Sequence, residues 1–359
     1  MKITIVAGAR PNFVKIAPII HAINKFGRQI SYRLVHTGQH FDEKMSKSFF
    51  EDLNIPNPDI NLECGGGSQT EQTASIMLAF EKELLQHSAD FVLVVGDVNS
   101  TLACAIVAKK MNIKVIHVEA GIRSFDLSMP EEINRMVTDS ITDVFFTTSA
   151  GATEYLKKSG FNHKNIHFVG NVMIDTLLSN IDRFEEPSIF KEFKLKKNSY
   201  LVLTLHRPSN VDQIDHLKSI LKTVIEHSGD DKIIFPIHPR TAKIFQNMEF
   251  DSEKLIIVEP LNYLRFNYLV QNARGVVTDS GGITEEATVF GVPCLTLRQN
   301  TERPETVEIG TNELVGTNPE SIKKYLDILY LGNWKRGSIP ELWDGKSSSR
   351  IINVLSENY

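Results

Sequence analysis

Short apolar runs rich in Val and Ile alternate with amphipathic segments along most of this chain, and that rhythm leaves few architectures open. The runs "KITIVAG", "RLVHTG", "FVLVVGD", "KVIHVEAG" and "VFFTTS" lack the polar–apolar alternation of a half-exposed strand. They read as strands buried on both faces. Between them, residues 13–26, 69–87 and 101–111 carry apolar side chains at helical spacing. Such strands and helices in alternation make a parallel α/β sheet, because parallel neighbours need a crossover long enough to hold a helix.

The rhythm weakens within 170–198, where 185–198 has a proline, mixed charge and little periodicity, and a domain boundary is expected there. It then restarts at "YLVLTLH", "KIIFPIH", "KLIIVEP", "GVVTDSGG" and "PCLTLR". The halves echo each other. "VVGDVNSTLACAIVAKKMNIKVIHVEAGIRS" and "VVTDSGGITEEATVFGVPCLTLRQNTERPE" both run strand, Asp, polar turn, helix, strand, then Glu and Arg. The expectation is two facing Rossmann-like α/β domains with ligands at the carboxyl ends of the strands and an interdomain cleft as the site.

Composition narrows the partners. With 359 residues, a net charge of -5 and a pI near 6.1, the chain is not expected to bind nucleic acid or an anionic membrane. Cys64, Cys104 and Cys294 are far apart and outside any C-x-x-C spacing, which fits a reducing compartment without disulfides or a cysteine metal site. The opening "MKITIVAGARP" is too short an apolar run for a signal peptide, and a soluble cytoplasmic protein is expected.

The clearest ligand signal is "VVTDSGGITEEA". Ser280, Gly281 and Gly282 stand between a strand and a helix, where glycines admit a phosphate and the helix end offers free N–H groups. A plain N-cap with a tight turn is the competing reading. Arg303 in "NTERPE" suits bidentate phosphate contact, and the two together favour a diphosphate. Glu286 is a candidate for ribose hydroxyls, against a solvated helix face. "GARPNFVKIAP" matches neither a dinucleotide fingerprint nor a P-loop, yet Arg10 and Lys15 can point toward the same sheet edge. His206 and His238 end strands of the second half, where an imidazole can meet a phosphate.

The acids are Asp97, Glu119 and Glu131, with Glu132 as the lesser neighbour. Asp97 and Glu119 end strands, and Glu131 follows Pro130 at a helix start that favours a carboxylate. A Glu at the mouth of a buried strand needs a partner, and Arg123 or Arg135 is the expected one. Carboxylates gathered at one cleft suit proton transfer on a substrate held by its phosphates, with no metal required.

Taken in order, "GARPNFVKIAP", "HTGQHFD", "GDVNSTLA", "HVEAGIRS", "PEEINR", "HRPSNVD", "TDSGGITEEA" and "TERPE" resemble the non-hydrolysing bacterial UDP-N-acetylglucosamine 2-epimerases. The resemblance implies a glycosyltransferase-B-like fold, a homodimer, and no cofactor or metal. It implies domains at 1–170 plus 344–359, the last helix returning to the first domain, and at 171–343. By resemblance, Asp97, Glu119, Glu131 and His206 are catalytic. Arg10, Lys15, Phe266, Ser280, Gly281, Gly282, Glu286 and Arg303 bind the UDP-sugar. The implied chemistry removes the carbon-2 proton as UDP leaves carbon 1, giving a 2-acetamidoglucal, and re-adds UDP with protonation on the opposite face.

The sequence departs from the family at Leu261, where many members place a Gln on the uracil, and at "QHFDEKM", which lacks the pattern of allosterically activated members. "TGQHFDEKMSKSFFEDL" and "SMPEEINR" look closer to a branch that includes UDP-2,3-diacetamido-2,3-dideoxyglucuronate 2-epimerases. That activity, a hydrolysing 2-epimerase, a glycosyltransferase and a non-catalytic nucleotide-sugar sensor are the alternatives, in that order.

Overall fold

The computed structural model of the chain describes residues 1–26, 29–39, 50–246 and 248–359; most of the "QHFDEKM" string lies outside them. The chain divides into two compact units, Met1–Asn180 with Glu341–Tyr359, and Ile181–Pro340. Every strand run quoted above forms a strand.

The sheet of unit 1 is parallel throughout, in the order β3-β2-β1-β4-β5-β6-β7. Its strands are β1 (Lys2–Ala7), β2 (Ser31–His36), β3 (Ile60–Asn61), β4 (Phe91–Val95), β5 (Lys114–Val118), β6 (Val144–Thr147) and β7 (Ile166–Phe168). All five residues of β4 are buried, as a strand covered on both faces must be. From β1 the chain proceeds to β2 on one side, and from β4 to β5 on the other. The loops after β1 and β4 therefore part at a switch point, where α/β sheets bind ligands.

The helices of unit 1 are α1 (Arg10–Phe26), α2 (Gln69–Gln86), α3 (Asn99–Lys110), α4 (Pro130–Ser140), α5 (Ala150–Lys158) and α6 (Val172–Asn180). Ser68 and Glu71 form a reciprocal capping box that starts α2. A C-terminal helix, Ser347–Asn358, packs on α1. Its first turn is fixed by Asp175 of α6, which accepts from the backbone N of Ser347 at 3.0 Å and of Ser348 at 2.7 Å. Thr176 Oγ1 in turn donates to the Val14 carbonyl of α1 at 2.6 Å.

Unit 2 repeats the plan with a parallel sheet in the order β10-β9-β8-β11-β12-β13. The strands are β8 (Tyr200–Thr204), β9 (Lys232–Pro236), β10 (Leu255–Val258), β11 (Gly275–Thr278), β12 (Cys294–Thr296) and β13 (Asn312–Leu314). Helices α7 (Ile214–Glu226), α8 (Pro239–Phe245), α9 (Tyr263–Gln271), α10 (Gly281–Phe290), α11 (Pro304–Glu308) and α12 (Pro319–Tyr330) connect them. Apolar clusters cover both faces. Leu203, Ile220 and Phe235 lie in one, and Tyr200, Leu269 and Cys294 in the other. Among the described residues, no helix is long and apolar enough to cross a membrane, and no group of three or more His, Cys, Asp or Glu is placed to hold a metal ion.

Candidate functional site

At the carboxyl edge of unit 1, Asn12 folds the turn after β1. Its Oδ1 accepts from the backbone N of Gly8 at 3.0 Å and of Ala9 at 2.9 Å, which sets Arg10 at the start of α1. Lys15, on the second turn, is buried, with Nζ 2.8 Å from Glu119 Oε1 and 2.7 Å from Oε2. Glu119 itself is 1% exposed and adopts a φ of 75°, a left-handed conformation that costs an ordinary L-residue roughly 1–3 kcal/mol. Strain of this kind persists where surrounding structure over-determines it, and here the Glu119 and Ala120 N–H groups both donate to the Phe146 carbonyl, at 2.9 and 3.1 Å. Lys15, not named as a partner from the sequence, thus pairs with Glu119, while Arg123 pairs with Asp139, and Arg135 with Asp97 and Glu132. Those arginines are nearer in sequence, but each is engaged elsewhere.

Gly96, following β4, has a φ of 65°, and a Cβ there would lie 2.8 Å from Lys15 Nζ. Gly96→Ala should therefore cost about 1 kcal/mol or more in conformation alone and displace the Lys15 ammonium. Denaturant melts and turnover measured together should both fall.

Asp97 comes next. Its Oδ2 accepts from Arg135 Nε at 3.0 Å and Nη2 at 2.5 Å, and its backbone O accepts from Asn134 Nδ2 at 2.8 Å. Arg135 also donates Nη1 to Glu132 at 2.7 Å. Glu132 is buried and accepts from Ser124 N, Ser124 Oγ and Phe125 N, so it shapes the loop ahead of α4. Burial pushes its carboxyl up, but the Ser124 and Arg135 bonds outweigh that and hold it below the ordinary value. Glu131 stands on the first turn of α4, partly exposed and one helical turn before Arg135 on the same face. The three expected acids thus sit in different settings: Glu119 against Lys15, Asp97 against Arg135, Glu131 more open.

Beneath them runs a network that sequence reasoning did not anticipate. His117 is fully buried, with Nδ1 2.8 Å from Asp139 Oδ1 and Nε2 2.9 Å from the Gly96 carbonyl. Asp139 also accepts from Gly121 N at 3.1 Å and pairs with Arg123 Nη2 at 2.6 Å. Burial alone would raise the Asp139 carboxyl, yet the bonds from His117 and Arg123 hold it below the usual carboxylate range. The network ties the Gly96 turn to the loop after Glu119.

In unit 2 the corresponding edge begins at His206, beyond β8. Its Nδ1 lies 2.8 Å from Asp279 Oδ1, and its ring centroid is 5.6 Å from that of His238. Ser280 is the N-cap of α10 and makes no side-chain cap bond, while Gly281 and Gly282 form the first turn. A Cβ on Gly281 would meet Glu302 Oε1 at 2.6 Å, so any larger residue there would push the Glu302 carboxylate aside. Glu302 accepts from Arg298 Nη2 at 2.7 Å, which puts this buried pair beside the helix start. Arg303, expected to reach a diphosphate, is buried as the N-cap residue of α11, and its Nε lies 2.6 Å from Glu285. Phe266 is partly buried on α9, packed against the apolar cluster.

Glu286 is buried on α10, which removes the solvated-face alternative. Burial drives its carboxyl from the ordinary 4.5 to about 8, Asn267 opposing and Glu285 adding to the rise. Beside it, the Tyr263 hydroxyl and Asn267 Oδ1 are buried without a hydrogen-bond partner among the described residues. Buried polar atoms left in this state suit a polar ligand group such as a sugar hydroxyl. A folded pKa raised above the unfolded one contributes stability that is complete below about 4.5 and lost as the pH rises through about 8. Denaturation between these limits should show stability falling with pH by up to about 1.4 kcal/mol per unit from this group, and Glu286→Gln should flatten that slope.

Two parallel sheets with a carboxylate-rich edge in one and a glycine-opened helix in the other set the frame for comparison. The sequence profile of the family described as UDP-N-acetylglucosamine 2-epimerase matches residues 22–356. The chain belongs to this family. It is 44% identical to the UDP-N-acetylglucosamine 2-epimerase of Methanocaldococcus jannaschii, over 99% of each chain. A crystal structure of UDP-GlcNAc 2-epimerase from that organism, in complex with UDP-GlcNAc and UDP, matches with a TM-score of 0.91, again over 99% of each chain. The UDP-2,3-diacetamido-2,3-dideoxy-D-glucuronate 2-epimerase of Pseudomonas aeruginosa is 38% identical, over 99% of this chain and 100% of that one. The two-sheet α/β fold of these 2-epimerases is the one this chain adopts.

Within the family frame, the side chains absent from the sequence expectations are Asp279, Arg298, Glu302, His117 and Asp139. Asp279 and Arg298 had a usable signal, since each lies just past the end of a buried strand. Asp139 had none, lying on the last turn of a helix with ordinary polar neighbours.

Proposed function

We propose that the protein interconverts UDP-N-acetylglucosamine and UDP-N-acetylmannosamine, a non-hydrolysing isomerase supplying surface-polysaccharide precursors. The observation carrying the reading is Glu119, a buried carboxylate in a left-handed conformation at a strand mouth, held against Lys15. Asp97, Glu119 and Glu131 serve as the groups that move the proton at carbon 2. As it leaves, the C–H pair becomes the C1=C2 double bond, and the C1–O pair departs with UDP. Protonation of the other face and return of UDP complete the exchange. Ser280, Gly281 and Gly282 at the α10 start hold the diphosphate, with Arg10, Lys15, Arg303 and His206 as the other phosphate-side groups. Glu286 takes the ribose and Phe266 the base.

The decisive experiment follows the carbon-2 proton by NMR in deuterated water. Deuterium should enter carbon 2 as UDP-N-acetylmannosamine forms; epimer without exchange, or no epimer, overturns the reading. Release of free N-acetylmannosamine with accumulating UDP would instead mark a hydrolysing enzyme.

The Pseudomonas relative supports a second reading, epimerisation of a UDP-diacetamido-glucuronate. Competition between the two sugars decides it, and equal or faster turnover of the uronate would make that the substrate. The domain boundaries lie at 180/181 and 340/341 rather than at the expected 170/171 and 343/344, because α6 packs on α1. A two-domain assignment, with the carboxylates in the first and UDP binding in the second, goes with either reading. So do a cytoplasmic location, matching three buried free thiols, and a homodimer. Ile133, Met136 and Val137 make an exposed apolar stripe on α4 that a second copy would cover. Light scattering should give twice the 40.4 kDa chain mass.

A further inference from the structure

We infer that Asp279 is a positioning residue that fixes the tautomer of His206. What His206 faces rests on the epimerase reading; the tautomer does not. Asp279 is fully buried and held from several sides. It accepts from His206 N at 3.0 Å, Arg207 N at 2.9 Å and Asn210 Nδ2 at 3.1 Å. Arg207 Nε donates to its backbone carbonyl at 3.0 Å. Burial would raise the carboxyl, but the bond from His206 and the backbone donors hold it below the ordinary value, so it stays an acceptor.

An acceptor 2.8 Å from Nδ1 requires the proton on Nδ1. Nε2 then lies on the outer side of a ring whose side chain is 41% exposed. Free imidazole in water favours the other tautomer, so the carboxylate selects the state. The neighbouring His238 is held the opposite way: its Nδ1 accepts from Arg240 N at 3.2 Å, leaving its proton on Nε2. Two imidazoles 5.6 Å apart thus present different faces outward, one nitrogen able to accept and one that donates. Asp279 directly precedes Ser280, so the residue that orients His206 also begins the α10 cradle. The arrangement fits a diphosphate oxygen that gains charge as the sugar leaves: when Nε2 takes up a proton from solvent, His206 becomes an imidazolium balanced by Asp279, and it and His238 both donate to that oxygen.

The test is long-range nitrogen–proton correlation on histidine-labelled enzyme without substrate, read above the pH where the ring is charged. His206 should show the Nδ1–H pattern, and an Nε2–H pattern overturns the inference. Asn210→Ala, which removes a different donor to Asp279, should leave that pattern in place. In Asp279→Asn the pattern should be lost, with kcat falling about 10²-fold and KM nearly unchanged. A rise in KM alone would make Asp279 merely structural. If Asp279→Asn does not fold, the wild-type spectrum and Asn210→Ala still decide. An Nδ1–H pattern in a chain that performs no epimerisation would remove the functional reading and leave the tautomer standing.

Discussion

Glu119→Gln should lower turnover by about 10²-fold or more while leaving UDP affinity nearly unchanged. The amide keeps the shape but cannot take the carbon-2 proton, and the Ser280–Gly282 turn assigned to the diphosphate belongs to the other unit. Stability should fall as well. Lys15 and Glu119 are a buried pair, and removing one charge leaves the other without compensation at a cost of about 3–5 kcal/mol. The pairing separates the two effects. Lys15→Met added to Glu119→Gln should restore much of the stability, since a buried ion pair replaced by neutral groups is often harmless, yet it should restore no activity. Denaturant melts, calorimetry with UDP and the NMR epimerisation assay measure the three quantities. Full turnover in Glu119→Gln would remove this carboxylate from the chemistry.

That pair also shows where sequence reading stops. The strands were legible because residues buried on both faces leave unbroken apolar runs, and the end of each run located Asp97, Glu119 and His206 in advance. "DSGG" was legible as a strand–helix junction, where Ser280 stands as the N-cap and Gly281 opens α10. The partner of Glu119 was not. Local sequence offered Arg123 and Arg135, whereas the ion pair forms with Lys15, far back in the chain. The fold brings α1 over the sheet and leaves Arg123 to Asp139 and Arg135 to Asp97. A long-range ion pair has no periodicity to read. The edge strands β3, β7 and β13 went unseen for a related reason: two or three residues cannot display a period. The state of Glu286 needed the packing of α9 and α10, because the same letter on an open helix would be an ordinary surface acid.

Asp139→Ala should be the most damaging substitution for the fold of unit 1. Asp139 lies far from the sheet edge in sequence, but its carboxylate serves His117, Arg123 and the Gly121 N–H together. Removing it leaves the buried Arg123 guanidinium, the His117 ring and one backbone donor without their acceptor, so the loss should reach at least the roughly 3–5 kcal/mol of a broken buried pair. Asp139→Asn retains an oxygen but not the charge and should fall between the two. The sign of the pH effect follows from its lowered carboxyl: the stability it contributes is present above the ordinary carboxylate range and lost as pH falls through the folded value. Wild type should therefore lose stability on acidification more steeply than Asp139→Asn, as urea midpoints at several pH values would reveal. His117 carries the damage onward, because its Nε2 holds the Gly96 carbonyl immediately before Asp97. A variant that still folds should consequently lose turnover without touching substrate. If Asp139→Ala melted like wild type, the network would be incidental and the Gly96 turn would be held by the β4–β5 pairing alone.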